Sequence, residues 1–249
     1  MGYSSRSYSG SSFGLPGFPP AIKGLLIANV AVFVLMLLAR GTAIARAIFG
    51  LALVPDQVAH LYIWQLATYT FLHVGLWEVL WNMLTLWMFG FELENSWGAR
   101  RFLQFYFLCG AGAGVMIVLF NFLFGNPGLP VIGAYAPIYG IILACAILWP
   151  EQPVYFIIFP MKMKYFAILV GAIALYISLA GGGATALGEL TGAAFAYIWL
   201  KTRRKSRIRV RNPVESAQQG YKAWKLARAK RKFQVYLKKQ RSDRDPRVN

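Results

Sequence analysis

The sequence predicts an all-α integral membrane protein, a bundle of six transmembrane helices followed by a basic tail. Three observations predict it. Of the 249 residues, 57% are apolar and 16% aromatic, and only 14% are charged. The apolar residues gather into long runs that a soluble domain of this size could not turn inward. Lys and Arg outnumber Asp and Glu by 26 to 9, and residues 201–249 alone hold 18 of the bases against the acids Glu215, Asp243 and Asp245. Such a profile excludes a disordered chain and an ordinary soluble basic domain. Cys109 and Cys145 both fall inside apolar runs and read as small core residues, not as a disulfide framework.

Residues 1–20 are rich in Ser and Gly and end in Pro, which predicts a flexible polar segment. The run at 22–39, interrupted by Lys23 near its edge, is long enough to cross most of a hydrocarbon core of roughly 30 Å at about 1.5 Å per residue. Ala45-Arg46-Ala47 imitates a signal cleavage site, but the run exceeds the usual signal length and reads as an uncleaved first span. Residues 40–72 mix Arg40, Arg46 and Asp56 with Tyr62, Trp64 and Tyr69, the composition of a membrane-surface loop with short amphipathic pieces. A second span is expected over about 73–93, and a third over 102–124, closed by the turn signal Gly125-Asn126-Pro127-Gly128. A fourth is expected over 131–149.

The stretch 166–200 would make one helix of roughly 52 Å, too long for a bilayer. Gly181-Gly182-Gly183 divides it into a fifth and a sixth span. The plan is therefore a polar segment over 1–20, a six-helix membrane domain over 21–200, and a basic tail over 201–249 that is disordered or an interfacial helix. Short-loop Lys and Arg place Arg6, Lys23, Arg100, Arg101, Lys162, Lys164 and the tail on one side, against Arg40 and Arg46 on the other. By the positive-inside rule both termini are cytoplasmic, and the plasma (inner) membrane of a bacterium is the expected location.

A charge inside a span costs on the order of 2.5–3.5 kcal/mol on insertion scales, so each one calls for a reason. Glu78 and Glu189 stand out. Glu78 and Asn82 are four apart and share a helix face. The fourth span opens Val131-Ile132-Gly133-Ala134-Tyr135-Ala136-Pro137-Ile138-Tyr139-Gly140, where Gly133 and Gly140 permit close packing and Pro137 is tolerable in a first helical turn. In the sixth span Gly188, Gly192 and Ala196 recur every four residues, a helix-packing stripe.

These features resemble the rhomboid family of intramembrane serine proteases, over residues 22 to about 200. Phe71-Leu72-His73 leads nine residues later to Asn82. Leu86-Trp87-Met88-Phe89-Gly90 with Glu94, and Cys109-Gly110-Ala111-Gly112, follow. Val131-Ile132-Gly133-Ala134, Ile138-Tyr139-Gly140 and the small-residue last helix complete the set. The resemblance implies a rhomboid-type six-helix bundle. It also implies a nucleophilic serine in Gly-x-Ser-Gly where this chain has Tyr135, followed by Ala136 in place of glycine. The implied base histidine falls on Glu189, and an implied oxyanion histidine, four before Asn82, falls on Glu78.

A phenol with a reference pKa of about 10 is a bulky substitute for a serine hydroxyl, so the family's acyl transfer reads as abolished. His60 and His73 with Thr85, Ser178 and Thr191 make no pair of recognisable dyad spacing. The leading expectation is a pseudoprotease, catalytically inactive, that binds transmembrane segments of client proteins through Tyr135, Tyr139, Glu189, Glu78, Asn82 and His73. One rival is an intramembrane protease with an altered site using Glu78 and Glu189. Another is a proton- or cation-handling protein, suggested by the same two acids. No cofactor is indicated, and three residues from separate spans do not make a metal motif.

Below the last span Lys201-Thr202-Arg203-Arg204-Lys205-Ser206-Arg207 reads as a topology anchor. Arg203, Arg204, Lys205 and Arg207 are then partners for anionic headgroups, worth about 1 kcal/mol each near the surface. Nucleic-acid binding is the runner-up for the tail, since any basic run attracts phosphate.

Overall fold

The computed structural model describes residues 19–156 and 159–203. Helix α1 (Pro20–Leu38) begins where the sequence can begin one, with Pro20 in the first helical position, where its missing N–H is no loss. The next two amides, of Ala21 and Ile22, donate to the two carboxyl oxygens of Glu94 at 2.8 and 2.7 Å. The Lys23 amide donates to the Pro19 carbonyl, so the helix start is satisfied although it is buried. Glu94 is 2% exposed and acts as a cap supplied from another helix. Glu94→Gln leaves one amide facing a side-chain donor; the expected loss is about 2–3 kcal/mol, read as a lowered unfolding midpoint in detergent.

The surface loop folds as three short helices, α2 (Ala43–Phe49), α3 (Pro55–Ala59) and α4 (Gln65–Thr68), and a 3-10 turn at Tyr69–Phe71. Buried Gln65 fastens them: its amide nitrogen donates to the Gly50 carbonyl and to Gln57, and its oxygen accepts from Val54 N–H.

Helix α5 (Leu76–Trp97) starts after the N-cap Gly75, three residues later than the second span was expected to start. It meets the 65–71 segment at 101°. Gly98, at φ +83°, makes the corner into α6 (Ala99–Phe124). Helix α7 (Tyr135–Leu148) is shorter than the expected span, because residue 131 pairs with the loop instead of joining the helix. Pro137 falls in its first turn, as its chemistry requires.

An antiparallel hairpin not foreseen in the sequence follows, β1 (Pro153–Phe156) with β2 (Phe159–Lys162), pairing Pro153 with Lys162 and Val154 with Met161. Beside it, exposed Glu151 accepts from Lys162 at 2.8 Å and from Lys164. Hydrogen bonds from these two ammonium groups hold its carboxyl down to about 2. A depressed carboxyl stabilises the fold above its unfolded value of about 4.3 and loses that contribution as pH falls through the folded value. Glu151 is therefore expected to titrate near pH 2 by carboxyl NMR, and Lys162→Gln with Lys164→Gln to return it toward 4.

Helix α8 (Met163–Ile177) passes through a π-helical turn at Ser178–Gly182 into α9 (Gly183–Arg203). The break falls at the predicted glycines, with Gly183 at φ +58°.

Among the described residues, three helical stretches are long and apolar enough to cross a membrane: Pro20–Leu38, Ala99–Phe124 and Met163–Ala180. The bent pair ending at Trp97 makes a fourth if it is counted as one span. Large apolar side chains on their outer faces, such as Leu38, Ile168 and Tyr176, are exposed, as a hydrocarbon surrounding would have them. Inside, Ile22, Leu86, Leu93, Phe102, Phe105 and Ile141 are fully buried where α1, α5, α6 and α7 meet. Helix α9 packs on α6 and α7 through small residues. A Cβ on Gly188 would meet Ile117, one on Gly140 would meet Cys109 and the Gly192 carbonyl, and one on Gly192 would fall on the Ala136 carbonyl. Ala196 is fully buried.

Candidate functional site

The segment entering α7 is held from several sides. Leu53 and Val131 exchange both backbone hydrogen bonds, at 2.9 and 2.8 Å, and the Gly133 amide donates to the Tyr69 carbonyl at 3.1 Å. Tyr69, read from sequence as a surface-loop aromatic, is fully buried, and its hydroxyl donates to the Gly110 carbonyl on α6 at 2.9 Å. The path needs Gly133, whose φ is +113°; a Cβ there would lie 2.9 Å from both Glu78 Oε1 and the Tyr135 ring. Glu78 and Tyr135 therefore flank the same backbone atom from α5 and α7.

Glu78 lies in the first turn of α5, and one of its oxygens accepts from the Val74 amide at 3.4 Å. Tyr135 is the first residue of α7, and its ring centre is 6.4 Å from that of Tyr139, one turn on. From the third side, α9 presses Gly192 onto Ala136 and so brings Glu189, three residues earlier, toward the start of α7. Glu189 lies within electrostatic range of Glu78, Tyr135, Tyr139 and Tyr69. Two carboxyl groups and three phenols thus gather from α5, α7, α9 and the loop.

Asn82 lies one turn beyond Glu78 on α5, 1% exposed, and its amide nitrogen has no hydrogen-bond partner among the described residues. His73 is placed differently from its companions Glu78, Asn82, Tyr135, Tyr139 and Glu189. It precedes the helix and borders a separate cavity beside Arg40, which none of those five lines. Arg203 is the last residue of α9. Arg204, Lys205 and Arg207 lie outside the described residues, as does most of the segment 201–249.

The chemistry open to this pocket differs from serine catalysis. Thr85, Ser178 and Thr191 each donate to a carbonyl of their own helix, of Trp81, Ala174 and Gly188. His60 contacts the Asp56 carbonyl, and neither ring nitrogen of His73 has a hydrogen-bond partner. Among the described residues no hydroxyl is therefore joined to an imidazole, and no three His, Cys, Asp or Glu side chains group as metal ligands. Tyr69, which holds the entry to α7, was visible only as a loop aromatic, and Gln65, which fastens the loop, carried no signal in the sequence. Glu94 was visible only as part of a motif.

Apolar helices long enough to cross a membrane, with a polar cluster beside the short, glycine-clamped α7, define a helical membrane protein. The chain belongs to the rhomboid family: the Rhomboid domain matches residues 60–205. It is similar to RHOMBOID-like protein 1 of Arabidopsis thaliana, 35% identical over 92 residues, a match covering 36% of this chain and 22% of that protein. The matched part is about a fifth of the relative's length.

Proposed function

We propose that this rhomboid-family protein is a pseudoprotease, a six-span bundle emptied of serine chemistry that binds transmembrane segments of client proteins. The observation that supports it best is the set of side chains gathered at the start of α7. At the positions where the family resemblance puts nucleophile, base and oxyanion donor stand Tyr135, Glu189 and Glu78. Tyr135 and Glu78 crowd the same Gly133 backbone and Glu189 lies within electrostatic range of both, and none of the three supplies a serine hydroxyl or an imidazole. In this reading α7 and α9 are the fourth and sixth spans, both termini are cytoplasmic, and the membrane is the plasma (inner) membrane of a bacterium. The membrane domain runs over 21–200, and the basic tail 201–249 holds anionic lipid.

The test has two arms in liposomes. Wild-type protein is expected to leave a panel of single-span substrates uncut. A photoreactive phenylalanine at position 139 is expected to crosslink to a transmembrane segment that competes with excess unlabelled segment. The electrostatic proximity of Glu78 and Glu189 favours a second reading, a protease using the two carboxyls as acid and base. Cleavage by wild type that disappears in Glu78→Gln or Glu189→Gln would establish that reading and end the first.

A further inference from the structure

The cavity bordered by His73 holds about 140 Å³ between the end of α1, helix α2 and the approach to α5. Its walls are mainly apolar, with Phe33, Met36, Leu37 and Phe49 among them, and its polar side chains are those of Arg40 and His73. His73 is 1% exposed, and neither ring nitrogen has a side-chain or well-aligned hydrogen-bond partner; among the described residues the Phe71 backbone is the one polar group near enough to serve either of them. A neutral imidazole carries one donor and one acceptor, and the Phe71 backbone can serve only one of them, so at least one ring nitrogen stays unpaired in the interior, which is unfavourable. Arg40 is exposed and has no ion pair among the described residues. No carboxyl group lines the cavity, so a headgroup carrying its own cation would find no partner there. A water molecule could serve His73 but would leave both the guanidinium and the apolar walls without a counterpart.

We propose that this cavity binds an anionic phospholipid, with phosphate oxygens accepting from Arg40 and from His73 N–H and the first part of an acyl chain lying against Phe33, Met36 and Leu37. The site is separate from the pocket of Glu78, Tyr135 and Glu189, and the proposal stands whether or not that pocket is catalytic. An anion with a chain matches all three features at once: the guanidinium fork suits phosphate, the imidazole gains a partner, and the walls gain apolar contact.

The test uses the full chain in phosphatidylcholine vesicles doped with phosphatidylglycerol carrying a diazirine in one acyl chain, with the label located by mass spectrometry after irradiation. Label is expected on residues 33–49, about tenfold stronger than from the same diazirine on phosphatidylcholine. Arg40→Gln is expected to lower it about tenfold. Ala45→Phe, which fills the cavity from α2 and removes no polar group, is expected to lower it equally while the unfolding midpoint stays in place. Arg46→Gln, an exposed base on the same short helix, is expected to leave it unchanged. Equal labelling by both probes, or labelling indifferent to Ala45→Phe, would overturn the site. So would no label on 33–49, or an equal drop in Arg46→Gln, which would mean surface attraction only. Displacement by inorganic phosphate as readily as by unlabelled phosphatidylglycerol would replace the lipid with a free anion and overturn the assignment.

Discussion

Gly192→Ala is expected to cost about 3 kcal/mol or more, and Gly192→Leu to abolish the folded bundle. The new Cβ would fall on the Ala136 carbonyl, with the Ala136 carbonyl carbon at 2.7 Å and its Cα at 3.0 Å. All three are backbone atoms at the start of α7, so no rotamer change relieves the clash. Either α9 moves away from α7 or the turn from Gly133 to Ala136 unwinds. Both movements would also carry Glu189 away from Tyr135. Gly171→Ala supplies the control: nothing lies within 4 Å of a Cβ at that position of α8, and replacing glycine inside a helix gains about 0.8–1.0 kcal/mol of propensity. Thermal unfolding in detergent reads both. A Gly192→Ala protein as stable as wild type would mean that the α7–α9 contact yields, and the convergence of the two carboxyls would lose its support.

The same contact explains what the sequence made legible. Small residues every four positions announce close helix packing, and Gly188, Gly192 and Ala196 are indeed where α9 presses on its neighbours. A glycine run in an overlong apolar stretch announces a break, and the π turn and Gly183 supply it. Convergence itself was not legible from local spacing; it entered through the family resemblance, which set Tyr135, Glu189 and Glu78 at related positions. What stayed hidden depends on partners distant in sequence. Glu94 caps amides 72 and 73 residues away. Tyr69 looks like an interfacial aromatic until its hydroxyl is found on Gly110, 41 residues on. The family resemblance groups His73 with Glu78 and Asn82, placing it nine residues before Asn82. With Gly75 as N-cap the helix begins at Leu76, so His73 shares no helix face with them and turns to the cavity of Arg40. The hairpin was missed because four-residue strands in a short connection leave too little pattern to detect.

Restoring the family's groups is expected to switch cleavage on. Tyr135→Ser with Ala136→Gly frees the space the phenol now takes beside Gly133 and provides a hydroxyl at the start of α7. It supplies no base, and Glu189 reaches the pocket from α9 as a carboxyl group. Adding Glu189→His is expected to raise cleavage of a single-span substrate in liposomes roughly 10²–10⁴-fold over the two-residue variant, the usual worth of a positioned general base. Glu78→His then offers a donor on the α5 side, beside the backbone of Gly133. One oxyanion donor is worth about 10²–10³ in rate, so the four-residue variant is expected to be the fastest. Labelling by a serine-directed fluorophosphonate should follow the same order, since it needs the activated hydroxyl but no substrate helix. Cleavage without labelling would point to the carboxyls and not to the new serine. A folded four-residue variant that neither cuts nor labels would mean that the frames of α7 and α9 have drifted from catalytic register, and that more than the reacting groups separates this chain from an active protease.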